Sequence, residues 1–331
     1  MSFTSVRAPV SRLNRSQLFV PCSQPKFFAK AAQGAADVIS LDLEDAVAPG
    51  DKPAARRNAV AALKEVDFGD KTVSLRINGL DTHYCYRDVV EVMEEAGERL
   101  DLIMIPKVGV AADVYAIDML VTQIETAIGR SRRIGLEVII ETAMGLANVD
   151  AIAAASPRLE ALHFGAADFA ASMGMRTTNI GGPNPDYGIL LDPDEEGRRD
   201  FHWQDLWHYP MVRMIAAARA NGLRPIDGPF GDYSDPDGYA AQARRSAILG
   251  CEGKWAIHPS QVPLANALYT PPADEVKHAR RILREMKASQ KAGAGAATLD
   301  GRLIDAASVR QADVIVGKAR EIARREKARG G

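Results

Sequence analysis

Two carboxylates that each close an apolar run are the first residues here whose types and spacing could do chemistry. Glu141 ends Glu137-Val138-Ile139-Ile140-Glu141, and Asp168 ends Leu162-His163-Phe164-Gly165-Ala166-Ala167-Asp168. If those runs are adjacent parallel strands, the two carboxylates stand close together and repel unless a cation or a shared proton intervenes. Oxygen donors, with no Cys/His cluster at metal-ligand spacing, favour Mg²⁺ or Mn²⁺ over zinc and leave coordination positions for water and substrate. The competing reading is that each carboxylate caps the helix that follows it.

Several residues gather around that pair. Arg76, inside Ser74-Leu75-Arg76-Ile77-Asn78, is a guanidinium in a strand-like run, so it is either aimed at a developing oxyanion or ion-paired with Glu44 or Asp45. Glu44 and Asp45 close Leu41-Asp42-Leu43-Glu44-Asp45, where they are placed to orient water on the cation. Lys107, closing Ile103-Met104-Ile105-Pro106, stands where a Schiff-base lysine could stand, but neighbouring carboxylates would keep it protonated. His258 either lines the pocket or is structural. Phe19, Lys26 and Lys30 suit the base ring and phosphates of a bulky anionic ligand, or are an aromatic and two solvated lysines. The stretch Phe230 to Gly238 resembles a calcium loop only superficially, because Pro236 takes a ligand position; it reads as a turn into a helix cap.

Elements of alternating type must hold these residues. Eight short apolar runs (Leu18–Pro21, Val38–Glu44, Val73–Asn78, Leu102–Val108, Leu136–Glu141, Ala161–Gly165, Pro225–Phe230 and Lys254–His258) alternate with helix-period segments such as Val114, Ile117, Val121 and Ile124. This predicts an α/β fold, a (β/α)8 TIM barrel with a C-terminal helical extension, with an open doubly wound sheet as the alternative. The expected organisation is a catalytic barrel with an N-terminal tail over 1–270 and a helical lid or oligomerisation extension over 271–331. Residues 171–203 are too long and too punctuated for an ordinary connection, and are either a lid over the active face or an insertion. Beyond a helix around Asp274–Ser289, the run Ala292-Gly293-Ala294-Gly295-Ala296-Ala297 reads as a linker. A last helix then carries Val309, Ala312, Ile315, Ala319 and Ile322 on one side, a face to be covered by its own barrel or by a neighbouring subunit.

Composition removes other classes. The chain has 331 residues, of which 47% are hydrophobic and 25% charged, as in an ordinary globular protein, and its net charge of −2 offers no basic face for nucleic acid. Its three cysteines, Cys22, Cys85 and Cys251, show no metal or disulfide spacing and read as core thiols in a reducing compartment. The start, Met1-Ser2-Phe3-Thr4 with Arg7, Arg12 and Arg15 following, lacks a signal-peptide pattern, and no apolar stretch approaches a membrane span; the expected location is cytoplasmic. Walker A, G-x-G-x-x-G, G-x-S-x-G and H-E-x-x-H patterns are absent, which argues against nucleotide-dependent, serine hydrolase and zincin chemistry.

Five strings together resemble the citrate lyase β-subunit-like family: Leu41-Asp42-Leu43-Glu44-Asp45-Ala46-Val47-Ala48-Pro49, Arg76-Ile77-Asn78-Gly79-Leu80-Asp81-Thr82, Ile105-Pro106-Lys107-Val108, Glu141-Thr142-Ala143 and Gly165-Ala166-Ala167-Asp168. Asp227-Gly228-Pro229-Phe230-Gly231-Asp232 and Gly253-Lys254-Trp255-Ala256-Ile257-His258-Pro259 narrow the resemblance to that family's malyl-CoA/β-methylmalyl-CoA lyases. The likeness spans nearly the whole chain. It implies a Mg²⁺- or Mn²⁺-dependent barrel enzyme that reversibly splits (S)-malyl-CoA into acetyl-CoA and glyoxylate, and β-methylmalyl-CoA into propionyl-CoA and glyoxylate, by way of a thioester enolate. By position, the resemblance implies Glu141 and Asp168 as metal ligands and Arg76 as the substrate-binding arginine. Phe19 and Lys30 match CoA contacts, with Ala167, Ile257 and His258 lining the site. Gln24 stands where the family often carries a CoA-phosphate arginine, and Lys26 is the candidate substitute. Asp305 matches a catalytic acid that the family supplies across a subunit interface, which implies a homo-oligomer, a trimer or hexamer. The alternatives are a malyl-CoA thioesterase, a Schiff-base aldolase using Lys107, and a CoA-binding accessory protein.

Overall fold

The computed structural model describes residues 11–177, 179–291 and 293–329. The N-terminal residues 1–10, including Arg7, lie outside the described residues, as do Thr178 of the long connection and Ala292 of the Gly/Ala run. The chain forms two compact units, Met1–Asn266 and Ala267–Gly331.

In the first unit, all eight apolar runs are strands of a closed parallel barrel. They are β1 (Ser16–Pro21), β2 (Val38–Asp42), β3 (Thr72–Arg76), β4 (Leu102–Ile105), β5 (Gly135–Ile140) and β6 (Leu159–Phe164), then β9 (Arg224–Asp227) and β10 (Gly253–Ala256). The order around the barrel is β1-β10-β9-β6-β5-β4-β3-β2, with β2 returning to β1, and every pairing is parallel. Helices cover the outside, so the strands are buried on both faces and read as continuous apolar runs. Met104, Ile139, Ala161, Ile226 and Trp255 pack together in the core, with Phe19 against them. Glu137 and His163 are also wholly buried. The parallel register places Asp42 opposite Arg76, each the last residue of its strand, so the carboxylate and guanidinium meet at the C-terminal rim.

The long connection after β6 is neither bare loop nor helix. It carries a two-stranded antiparallel hairpin, β7 (Gly188–Leu190) with β8 (Phe201–Trp203), which the sequence reading did not foresee. The buried Trp207 indole anchors this region by donating to the Gly182 carbonyl at 2.9 Å. Asp235 caps the helix Pro236–Leu249 by accepting from the Gly238 N–H at 2.8 Å, as the turn-and-cap reading expected. Cys22, Cys85 and Cys251 are buried and free. Among the described residues no helix is long and apolar enough to cross a membrane.

The second unit holds the helices Ala273–Lys291 and Ala306–Arg329 with a hairpin between them, β11 (Ala297–Leu299) and β12 (Arg302–Ile304). Two expectations change here. The Gly/Ala run ends in a strand, because Asp300 and Gly301 both take positive φ (51° and 76°) and turn the chain tightly. The apolar side of the last helix is covered within its own unit: Ala312 and Val316 pack on Ala279, with Ile282, Leu283 and Ile315 around them. An i, i+3, i+4 stripe announces a buried face without saying which element buries it.

Candidate active site

Glu141 follows β5 directly and is 2% exposed. Asp168 lies one turn into the helix Ala166–Ser172 that follows β6, with its side chain 36% exposed. Adjacent parallel strands thus bring the two carboxylates to one rim, as the sequence predicts. Gly165 makes the approach feasible: a Cβ there would fall 2.5 Å from the Glu141 Cβ and closer still to its Oε2. The Lys107 backbone N–H donates to Glu141 Oε1 at 2.7 Å, and Lys107 holds the unusual φ of 53°. A non-glycine residue in that region costs about 1–3 kcal/mol, so the surrounding contacts enforce this conformation.

Arg76 is clamped. Its Nε and Nη2 donate to Asp42 Oδ1 and Oδ2 at 2.8 and 2.7 Å, and Nη1 lies 3.0 Å from Glu44 Oε2 and 3.8 Å from Asp45 Oδ2. The pairing with Glu44 or Asp45 that the sequence offered as one alternative is present, but the bidentate partner is Asp42, and the signal that could have shown it is that both residues end neighbouring strands. The guanidinium faces the Phe19 ring at 5.1 Å and the Trp255 ring at 5.9 Å, and those rings pack 4.2 Å apart. Burial opposes its charge, but Asp42, Glu44 and Asp45 overcome that and hold it more firmly protonated than a free arginine.

The Lys107 ammonium pairs with Glu44, lies 3.3 Å from Asp45 Oδ1 and reaches within 3.9 Å of Asp168 Oδ1. Burial alone would lower its pKa, yet Glu44, Asp45 and Glu141 raise it above the ordinary value, which favours the ammonium over the neutral amine that a Schiff base requires. Burial, then Asp168 and Glu44, push the Glu141 carboxyl up to about 8, against partial relief from Lys107.

These groups line a cavity of about 210 Å³ bounded by Phe19, Asp42, Arg76, Glu141, Asp168 and Trp255, with Pro21, Asp45, Ala46, Gly165, Ala167, Pro229 and Ile257 completing its wall. In and beside it three cations, Arg76, Lys107 and Lys52, stand among five carboxylates: Asp42, Glu44, Asp45, Glu141 and Asp168. That surplus of negative charge around a buried carboxylate with a raised pKa fits a hard divalent cation with oxygen ligands. Among the described residues no three or more His, Cys, Asp or Glu side chains gather on one metal position.

A second cavity of about 450 Å³ shares Phe19, Pro21 and Ile257 with the first and runs past Phe27, Lys30, Ala31, His258 and Pro259. Its wall is mainly apolar, with Lys30 as a cation. His258 is exposed, stacks on Tyr233 at 4.8 Å and bonds Ser260 Oγ through Nδ1 at 2.8 Å. Gln24 is exposed at the start of the turn Pro25–Phe27 and lines neither cavity; Lys26 is exposed with its ammonium 5.1 Å from the Phe27 ring centre. Asp305 belongs to the second unit, where it is exposed and caps the helix Ala306–Arg329, its Oδ1 accepting from Ala307 N at 2.9 Å and Ser308 N at 3.1 Å.

The sequence reading missed Asp42, Trp255 and Pro229 as wall residues. It also missed a polar cluster inside the barrel, where the Trp255 indole donates to His163 Nδ1 at 2.8 Å and His163 Nε2 lies 3.3 Å from Glu137 Oε1.

The profile of the HpcH/HpaI aldolase/citrate lyase family matches residues 15–259. The L-malyl-CoA/β-methylmalyl-CoA lyase of Rhodobacter capsulatus is 58% identical over 319 residues, 96% of this chain and 98% of the relative. The (3S)-malyl-CoA thioesterase of Cereibacter sphaeroides is 32% identical, over 93% of this chain and 95% of that protein. Among solved structures, the CitE protein of Mycobacterium tuberculosis in complex with magnesium, acetoacetate and coenzyme A superposes with a TM-score of 0.67 at 28% identity, over 93% of this chain and 98% of that one.

Proposed function

Since the chain belongs to the HpcH/HpaI aldolase/citrate lyase family, we propose that it is a lyase that reversibly cleaves (S)-malyl-CoA to acetyl-CoA and glyoxylate, and β-methylmalyl-CoA to propionyl-CoA and glyoxylate. The observation that carries this reading is Glu141, a buried carboxylate beside Asp168 at the mouth of a cavity that also holds Arg76. Glu141 and Asp168 are its metal ligands. Bound there, Mg²⁺ or Mn²⁺ supplies Lewis-acid polarisation of the glyoxylate carbonyl.

The chain's own residues do the rest. In the synthetic direction Asp305, delivered from a neighbouring copy in a homo-oligomer, takes the proton from the thioester α-carbon. Arg76, fixed edge-on by Asp42, faces the enolate oxygen and stabilises its charge. The enolate carbon then attacks the aldehyde carbon, breaking its C=O π bond, and the resulting alkoxide oxygen takes up one proton for the one lost from the α-carbon, so the addition is proton-neutral overall. Cleavage runs these steps backwards. The Phe19 and Trp255 rings wall the cavity with apolar surface, which excludes water from the enolate. The adjoining cavity takes the CoA arm, with Phe19, Ile257 and His258 along it, the Ala167 backbone at its reacting end and Lys30 near its phosphates. Glu44 and Asp45 hold Lys107 and orient water near the cation.

The test is to incubate purified protein with malyl-CoA, with and without Mg²⁺, and identify the products. Glyoxylate and acetyl-CoA appearing only with the metal support the lyase. Malate and free CoA thiol would make the protein a thioesterase instead.

A further inference from the structure

His163 lies wholly inside the barrel and lines neither cavity, yet it is tied to the active-site wall. Its Nδ1 accepts the Trp255 indole N–H at 2.8 Å. An indole nitrogen only donates, so Nδ1 carries no proton, and a neutral ring must carry its proton on Nε2. Nε2 faces Glu137 Oε1 at 3.3 Å, within electrostatic reach though not aligned as a hydrogen bond. Glu137 is itself held by Ser74 Oγ at 3.0 Å and Gln17 Nε2 at 3.3 Å, with the Arg224 guanidinium 3.9 Å away. The Glu137 carboxylate is thus fixed by Ser74, Gln17 and Arg224, and with its Oε1 facing Nε2 it favours the neutral imidazole tautomer whose proton lies there.

The chain of contacts runs on from Trp255 to Phe19, and both rings face the Arg76 guanidinium. Asp42 fixes the edge of that guanidinium, while the two aromatic faces fix its plane. We infer that His163, oriented by Glu137, is a positioning residue for the lyase reaction: it locks the Trp255 indole and through it the plane of Arg76 at the reacting carbonyl. This rests on the proposed role of Arg76. Misplacement of a catalytic group by about 1 Å can cost on the order of a hundredfold in rate.

Two variants separate position from mere packing. Asn places its Oδ1 where Nδ1 stands, so His163→Asn keeps an acceptor for the indole, whereas His163→Leu removes it. In ¹⁵N-tryptophan-labelled protein the indole N–H resonance lost in Trp255→Phe identifies residue 255. That resonance is expected to move upfield in His163→Leu and to stay near its wild-type position in His163→Asn. For malyl-CoA cleavage, kcat is expected to fall about tenfold or more in His163→Leu and to return to within about threefold in His163→Asn. The losses of His163→Leu and Trp255→Phe are expected not to add in the double variant. An unmoved resonance, additive losses, or His163→Asn as impaired as His163→Leu would overturn the inference. If His163→Leu does not fold, the resonance and kcat of His163→Asn, together with its cycle against Trp255→Phe, decide. If the wild type cleaves no malyl-CoA, the proposed reaction fails, while the indole resonance still decides whether His163 holds Trp255.

Discussion

Gly165 leaves open the space that the Glu141 carboxylate fills: a Cβ at residue 165 would lie 2.5 Å from the Glu141 Cβ. A glycine at the end of β6 therefore sets where the side chain after β5 can go. Gly165→Ala is expected to destabilise the fold by about 1–3 kcal/mol, as overpacking does, and to weaken Mg²⁺ binding by displacing Glu141. Urea unfolding and calorimetric metal titration measure the two effects; unchanged Mg²⁺ affinity would show that Glu141 does not need this position.

Glu141→Ala is expected to abolish Mg²⁺-dependent cleavage, because the cation loses one of its two proposed protein anchors. A Mg²⁺ titration of malyl-CoA cleavage reads this, and near-normal activation in the variant would remove Glu141 from the metal site.

In the proposed metal role of Glu141, proton and cation compete for its carboxylate. Its carboxyl sits at about 8 in the folded protein against 4.5 for an ordinary glutamate. Between those values the folded metal-free protein retains a proton that the unfolded chain has lost, so this group withdraws stability as pH rises through the window. Metal-free protein is therefore expected to lose melting temperature from 4.5 towards 8 relative to Glu141→Gln, and Mg²⁺ to bind more tightly with rising pH. Calorimetry in buffers of different ionisation heat should detect proton release on binding; its absence would mean Glu141 is already ionised or unbound.

Arg76→Ala leaves the buried Asp42 carboxylate without its bidentate partner. Breaking a buried pair from one side costs about 3–5 kcal/mol, so a matching loss in urea stability is expected along with lost turnover. Arg76→Lys keeps a charge but forfeits the two-pronged geometry, and should recover stability better than kcat.

Asp305 has a capping duty as well as its proposed chemical one. Asn caps helices about as well as Asp, so Asp305→Asn should keep the melting temperature and lose kcat, whereas Asp305→Ala should also lose about 1 kcal/mol of stability. Mixed oligomers of Asp305→Asn and Glu141→Ala subunits should regain activity if the acid acts between copies. No recovery in verified mixed oligomers would place it within one chain.

The barrel was legible because strands buried on both faces write continuous apolar runs, and Glu141 and Asp168 stood out by ending two of them. Partnerships across the barrel were less so. Asp42 meets Arg76 through inter-strand register, and His163 meets Trp255 across 92 positions, neither of which leaves a local pattern. The hairpin at Asp300-Gly301 did leave one, a dipeptide suited to a tight turn, but the preceding Gly/Ala run reads as linker and masked it.

The central claim is that Glu141 and Asp168 together grip one divalent cation. Anomalous diffraction from crystals soaked in Mn²⁺ tests it most directly. The expected result is a single strong peak at the cavity mouth, within coordination distance of one carboxylate oxygen of each residue. A peak bound elsewhere, or none in a fully soaked crystal, would contradict it.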